Sequence, residues 1–234
     1  MSVKNHLLSS LSGADQAALQ PHLEAVDLPL REILELPNKP IKDVYFPTNG
    51  IVSVVAVGPG GREIEVGIIG RDGMTGIAVV LGDRQTPNKC FVQIAGTALR
   101  ISAEALRDEM DKSPSMRSRF LPYVQFFILQ TSYTALANGR GTVEQRLARW
   151  LLMCNDRIEG DELSLTHEFL SLMLGVRRAG VTTALSDLER QGLIDAQRRV
   201  ILIIDREGLR DVAAHLYGPP EVEQKRLTGW AGKR

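Results

Sequence analysis

The chain has 234 residues, 44% hydrophobic and 24% charged, and its 28 Lys and Arg balance its 28 Asp and Glu. Such a chain reads as globular and soluble, with one large domain or two small ones, and its zero net charge means that affinity for an acidic partner must come from local clusters of cations. Two isolated cysteines, Cys90 and Cys154, speak against a disulfide framework and against an iron–sulfur cluster, which needs more ligands.

Met1 to Leu11 lacks the basic start and long apolar run of a signal peptide, and no apolar stretch approaches the ~20 residues of a membrane span, so a cytoplasmic protein with no membrane partner is expected. In residues 1–22, Ser12-Gly-Ala-Asp15 reads as a capped helix start, ending near Pro21. Residues 23–110 read as a β-sandwich or roll. Short apolar runs (Val44–Phe46, Ile51–Val57, Ile64–Ile69, Phe91–Ile94, Ala98–Ile101) are cut by turn signals such as Pro-Asn, Pro-Thr-Asn-Gly and Pro-Gly-Gly, and Ser102 caps a helix from Ala103 to Met110.

Residues 111–138 carry a long helix, Ser115 to about Ala137, which Pro122 should start or kink. Val124, Phe127 or Ile128, Thr131 and Ala135 recur at helical spacing, with Phe126 and Leu129 off the stripe, so the helix needs two partners. The stripe fits the contact of a homodimer, or a core helix within one subunit. Asn138-Gly-Arg-Gly141 should break the helix, and Thr142-Val-Glu-Gln145 restarts one as a capping box, placing a domain boundary before residues 139–234. That next helix runs to about Asp156, with Cys154 on it as a buried structural thiol.

Residues 164–193 give the sharpest pattern. His167 to Leu174 forms one helix with Leu170, small Ser171 and Leu174. Gly175 supplies a tight turn, and a second helix follows with Val181, Ala184, Leu185 and Leu188 inward. Its outward residues, Arg177, Arg178, Ala179, Thr182, Thr183 and Ser186, are cationic or short enough to approach bases and phosphates of double-stranded DNA. Gly192 ends the helix, Leu193-Ile194 opens a strand, and Gln197-Arg198-Arg199 makes a basic turn before the apolar strand Val200 to Ile204. That hairpin is a wing, so Arg198 and Arg199 join Arg177 and Arg178 at one duplex.

This order, from the Val44-Tyr-Phe-Pro-Thr-Asn-Gly50 stretch through the Thr-Val-Glu-Gln-Arg-Leu helix to the basic wing and a closing helix Arg206 to Leu216, resembles the Crp/Fnr family of bacterial regulators. The resemblance implies an α+β chain: an N-terminal β-roll (a double-stranded β-helix of the cyclic-nucleotide-binding kind), a long dimerisation helix and a C-terminal winged helix-turn-helix. It implies a homodimer on a two-fold symmetric operator, and for an activator a surface that touches RNA polymerase. Cyclic-nucleotide binders of the family carry Phe-Gly-Glu and a nearby Arg-Ser or Arg-Thr; here Thr75-Gly76-Ile77 and Asn88-Lys89 stand instead. The ligand pocket thus reads as degenerate, with no cofactor and no cyclic AMP expected, although Lys89 could hold an anion as a point charge. Ala179 and Thr183 stand where the cyclic-AMP receptor protein carries Glu and Arg, only Arg178 matches a base-reading Arg, and Arg177 leaves the helix start poorly capped.

A cupin-like enzyme would hold a metal with several histidines of its roll, but His6, His22, His167 and His215 all fall outside residues 26–101, so no metal site and no enzyme are expected. A ligand- or partner-binding module without DNA binding is the other alternative.

Overall fold

The computed structural model describes residues 4–233; the first three residues of the N-terminal segment and the last of the C-terminal one lie outside them. Two short helices, α1 (His6–Ser9) and α2 (Gly13–Leu19), cover one end of the roll. Ser12 caps α2 as expected, accepting from the Asp15 amide at 3.1 Å. The buried Asn5 caps α1 and donates to the carbonyls of Pro47 and Gly73, which nails the N-terminus to the roll.

The roll comprises β1 (Glu24–Leu28), β2 (Ile33–Glu35), β3 (Asp43–Val57), β4 (Glu63–Ile69) and β5 (Lys89–Ser102), in the antiparallel order β1-β5-β3-β4 with β2 also on β5. The expected break at Pro-Thr-Asn-Gly does not occur. Val44–Phe46 and Ile51–Val57 are one strand, as are Phe91–Ile94 and Ala98–Ile101, with irregular register where they cross. Gly50 (φ +83°) and Gly96 permit this: a Cβ on Gly50 would lie 2.6 Å from the Ile94 carbonyl oxygen, and one on Gly96 would lie 2.3 Å from that of Asn49. Two glycines facing each other let a bent, bulged pair stay hydrogen-bonded where the sequence reads as a turn.

After α3 (Ile77–Val80) and α4 (Ala103–Lys112), α5 runs from Pro114 to Arg140 without interruption. Pro122 removes one amide, but the carbonyl it would serve belongs to Ser118, an exposed residue, and the helix continues. Asn138-Gly-Arg does not break it either. The stop comes at Gly141, whose amide bonds the Ala137 carbonyl and whose backbone turns extended (φ −80°, ψ 146°); a Cβ there would meet both that carbonyl and Leu216, so the position suits glycine. The boundary therefore falls at Gly141-Thr142, where the expected capping box opens α6 (Val143–Arg157).

The C-terminal domain continues with β6 (Glu162–Ser164), α7 (His167–Leu174), α8 (Arg178–Arg190), β7 (Ile194–Gln197), β8 (Val200–Ile203) and α9 (Arg206–Ala213), and a turn of 3-10 helix completes the closing helix to Leu216. A last helix, α10 (Pro219–Thr228), was not legible in the sequence and packs back along α5. The two domains share one apolar core: Ile51, Val55, Ile68 and Phe91 of the roll join Trp150, Met173 and Leu174 of α6 and α7.

Two buried polar clusters fasten this joint. Arg157, at the end of α6, forms a two-pronged ion pair with Asp72 of the roll (2.7 and 3.0 Å), each 1% exposed, and Gln224 of α10 donates to the same carboxylate at 2.6 Å. Trp230 lies over the guanidinium at 5.4 Å. Asp72→Ala would leave the Arg157 charge buried and unpaired, and urea unfolding should show a loss of about 3–5 kcal/mol. In the second cluster, Trp150 donates to Glu65 at 2.6 Å, and the Ser53 hydroxyl contacts both the Glu65 carboxyl and the Gln93 carbonyl oxygen. One hydroxyl has a single proton for two acceptors, an arrangement that a protonated Glu65 donating to Ser53 satisfies. Consistently, burial pushes the Glu65 pKa up to about 8. Because this folded value lies above the unfolded one, the folded state holds the extra proton, and the stability it contributes is full at acid pH and is lost between about pH 4.5 and 8. Urea midpoints should fall across that window, and Glu65→Gln should flatten the fall; an unchanged slope would show that Glu65 is ionised throughout.

Candidate nucleic-acid interface and the roll pocket

The helix-turn-helix forms as its sequence pattern dictates. Thr166 caps α7, Gly175 takes the left-handed conformation (φ +60°), and α8 starts at Arg178. Leu170, Leu174, Val181, Ala184, Leu185 and Leu188 are all buried, which fixes the roll of α8 about its axis and turns the opposite face outward. On that face Arg177, Arg178, Ala179, Thr182, Thr183 and Ser186 are all exposed. Arg177 is the N-cap and its side chain makes no capping bond, as its residue type implies. The hydroxyls of Thr182 and Thr183 donate to the carbonyls of Arg178 and Ala179 one turn back (3.1 Å each).

The wing is a two-residue hairpin in which Gln197 pairs with Val200 and Arg198 and Arg199 form the exposed turn. Arg199 sits at φ +67°, a conformation that costs a side-chain-bearing residue roughly 1–2 kcal/mol and that glycine would adopt more cheaply. A cation is thus kept at the wing tip against local backbone preference. None of the four arginines has an ion-pair partner among the described residues, whereas the acids toward the far end of α8 are engaged: Asp187 with Arg190 at 2.7 Å, and Glu189 with the Ala196 amide at 2.9 Å. Arg177 and Arg178 lie at the N-terminal end of α8, where the helix dipole adds to their attraction for phosphate.

The roll residues singled out by the sequence separate into two groups. Gly76, Ile77 and Asn88 line a cavity of about 240 Å³ between the roll and α5. Thr75 and Lys89 do not: the Thr75 hydroxyl accepts from the Tyr45 amide at 2.9 Å and is buried, while Lys89 turns to the other face of β5, where it pairs with Glu63 at 3.1 Å and lies over Phe91. The alternation of side chains along a strand imposes that opposition. The sequence did not reveal that Glu35, Cys90 and Phe127 share the cavity; its only sign was an acid in the apolar run Ile33-Leu34-Glu35-Leu36. Glu35 accepts from the Gly76 amide at 2.7 Å, and burial raises its pKa.

On α5, Val124 and Phe127 are buried within their own subunit, Phe127 beneath the roll and Val124 at the floor of a surface groove beside Leu121, Gln125 and Ile128; Thr131 is half-buried, and Ile128 and Ala135 are exposed. The outward face is a different stripe: Ser118, Leu121, Gln125, Ile128, Ser132, Ala135 and Gly139, all exposed and spaced alternately by three and four. Leu81 of the roll, 62% exposed, borders it.

Residues 145–212 match the Crp-like helix-turn-helix domain and residues 26–113 the cyclic nucleotide-binding domain. The chain is 26% identical over 202 residues to the CRP-like cAMP-activated global transcriptional regulator of Mycobacterium tuberculosis, covering 82% of this chain and 89% of that protein. It is 24% identical over 178 residues to the global nitrogen regulator of a Nostoc species, covering 71% and 79%. The structure of FixK2 from Bradyrhizobium japonicum superposes with a TM-score of 0.70 at 18% identity, covering 82% of this chain and 98% of that one, and shares its fold. With both domains in the family's order, joined by the long helix α5, and with an exposed arginine-bearing reading head on α8, the chain belongs to the Crp/Fnr family of DNA-binding transcription regulators.

Proposed function

We propose that the protein acts in the cytoplasm as a homodimer that reads an inverted-repeat operator, without catalysis, and that cyclic AMP is not its signal. The observation that carries the reading is the exposed face of α8 and the wing, four arginines without an ion-pair partner among the described residues, on a chain of zero net charge. Arg178, in the first turn of α8, suits two-pronged contact with guanine O6 and N7, while Arg198 and Arg199 suit phosphates. Arg178→Ala should therefore cut affinity for the operator about 5- to 150-fold (~1–3 kcal/mol) more than for random duplex. Removing either wing arginine should weaken all sequences alike and lower the slope of log affinity against log salt by about one. Isotherms on both duplexes at several salt concentrations decide; equal losses for Arg178→Ala would make it a phosphate contact and leave specificity to the threonines or to DNA shape.

Dimer pairing is supported by the outward stripe of α5. Its spacing of three and four is that of a coiled-coil seam, and Leu121 and Ile128, 44% and 54% exposed, are apolar with no cover in the subunit. Two reading heads held by such a seam would sit about 34–36 Å apart, one turn of B-DNA. Leu121→Glu with Ile128→Glu should give a folded monomer in sedimentation and lose operator affinity, since neither side chain supports the core; a dimer that survives both substitutions would refute the seam.

Against cyclic AMP stand Ile77, where a ribose-binding Glu is expected by resemblance, the withdrawal of Lys89 to Glu63, and a carboxylate, Glu35, in the cavity itself. A phosphodiester there would find no cation among the described residues and would meet a carboxyl group whose ionised form repels it.

A further inference from the structure

We propose that the cavity between the roll and α5 is a binding site for a small apolar cation, an alkyl- or arylammonium or amidinium whose charged head meets Glu35. The walls are apolar over most of their area, with Val54, Ile69, Ile77 and Phe127 around the space and Leu81 at the mouth. Into this setting the fold introduces one carboxyl group, 6% exposed. It accepts from the Gly76 amide, the Cys90 thiol and the Thr75 hydroxyl, all neutral, and no Lys, Arg or His lies within ion-pair distance of it among the described residues.

A buried carboxylate is retained at a cost unless a counter-charge accompanies it, and three neutral donors satisfy its oxygens without supplying one. Arg157 of the same chain illustrates the alternative: where this protein buries a charge for structure alone, it surrounds it with Asp72, Gln224 and Trp230. Glu35 has neutral donors but no cation beside it among the described residues, and open space adjoins it. A cation seated there supplies the missing charge, its hydrocarbon part displaces water from the apolar walls, and the Phe127 ring offers a further face to the positive head. Anions are disfavoured by the same group. Phe127 precedes Ile128 on α5, so the occupant would touch the helix that carries the outward seam. That such binding would serve as the regulator's signal rests on the DNA-binding reading above; the binding itself does not.

The test uses the full-length protein without DNA, so a failure here is distinct from a failure to bind an operator. Benzylamine, 2-phenylethylamine, cyclohexylamine and benzamidine are titrated by calorimetry and ligand-observed NMR, beside benzoate, phenylacetate and cyclic AMP. The amines should bind and the anions should not. Glu35→Gln, isosteric and neutral, should weaken the amines at least tenfold while the thermal melt confirms folding. Ala78→Leu, which narrows the cavity from its partly exposed rim without touching the carboxyl group, should abolish binding and keeps the test open if the first variant fails to fold. Binding by none of the amines, binding of the anions with equal affinity, or amine affinity undiminished in either folded variant would each overturn the proposal.

Discussion

The packing of α6 against the roll is the constraint from which the placement of the reading head follows. Its apolar side merges the cores of both domains, and Arg157 at its last turn enters the roll's loop to meet Asp72, with both groups closed off from water. In that low-dielectric setting a charge pair is tolerated only in one geometry, since a small displacement leaves two desolvated charges apart. Burial of this pair therefore fixes orientation more than it adds stability. The helix-turn-helix is carried on α6, and its first helix rests directly on the roll: Met173 reaches Ser53, and Arg146 donates to the Leu174 carbonyl at the turn.

The tail reinforces the same joint. Gln224 and Trp230 complete the surroundings of Arg157, while Asp156 receives Arg206, the Tyr217 hydroxyl and the Lys233 amide. The N-terminus takes part as well, since His6 contacts the Thr228 carbonyl. Both chain ends thus close over the junction of sensor and reader, and the two families of contacts, apolar and ionic, constrain the same few degrees of freedom.

The long helix divides its circumference between tasks. One side, with Phe120, Tyr123, Phe126 and Gln130, belongs to the roll and the C-terminal elements, and Gln130 even caps a strand amide, that of Ile68, at 2.7 Å. The opposite side carries the exposed seam. Phe127 lies between them in effect, lining the cavity from the helix's inner side one residue before the seam's Ile128. A helix apolar on more than one side is what two separate neighbours require.

The periodic and local features of this protein could be read from its sequence. Caps at Ser12, Ser102 and Thr142, the glycine at 175, the inward residues of α8 and the arginine pairs are set by spacing within a few residues, and a regular helix or hairpin obeys such spacing whatever surrounds it. Other features depended on residues distant along the chain. Whether Pro-Thr-Asn-Gly turns or bulges was decided by Gly96 on the facing strand. Which stripe of α5 faces outward was decided by where the roll and α10 lie. Glu35 meets Gly76 only because β2 lands on β5, and Lys89 leaves the cavity because strand parity puts it opposite Asn88 and Cys90. Local spacing determines what an element is and which sides it has; only the packed chain decides which neighbour each side meets, because that depends on contacts whose partners the sequence does not place side by side.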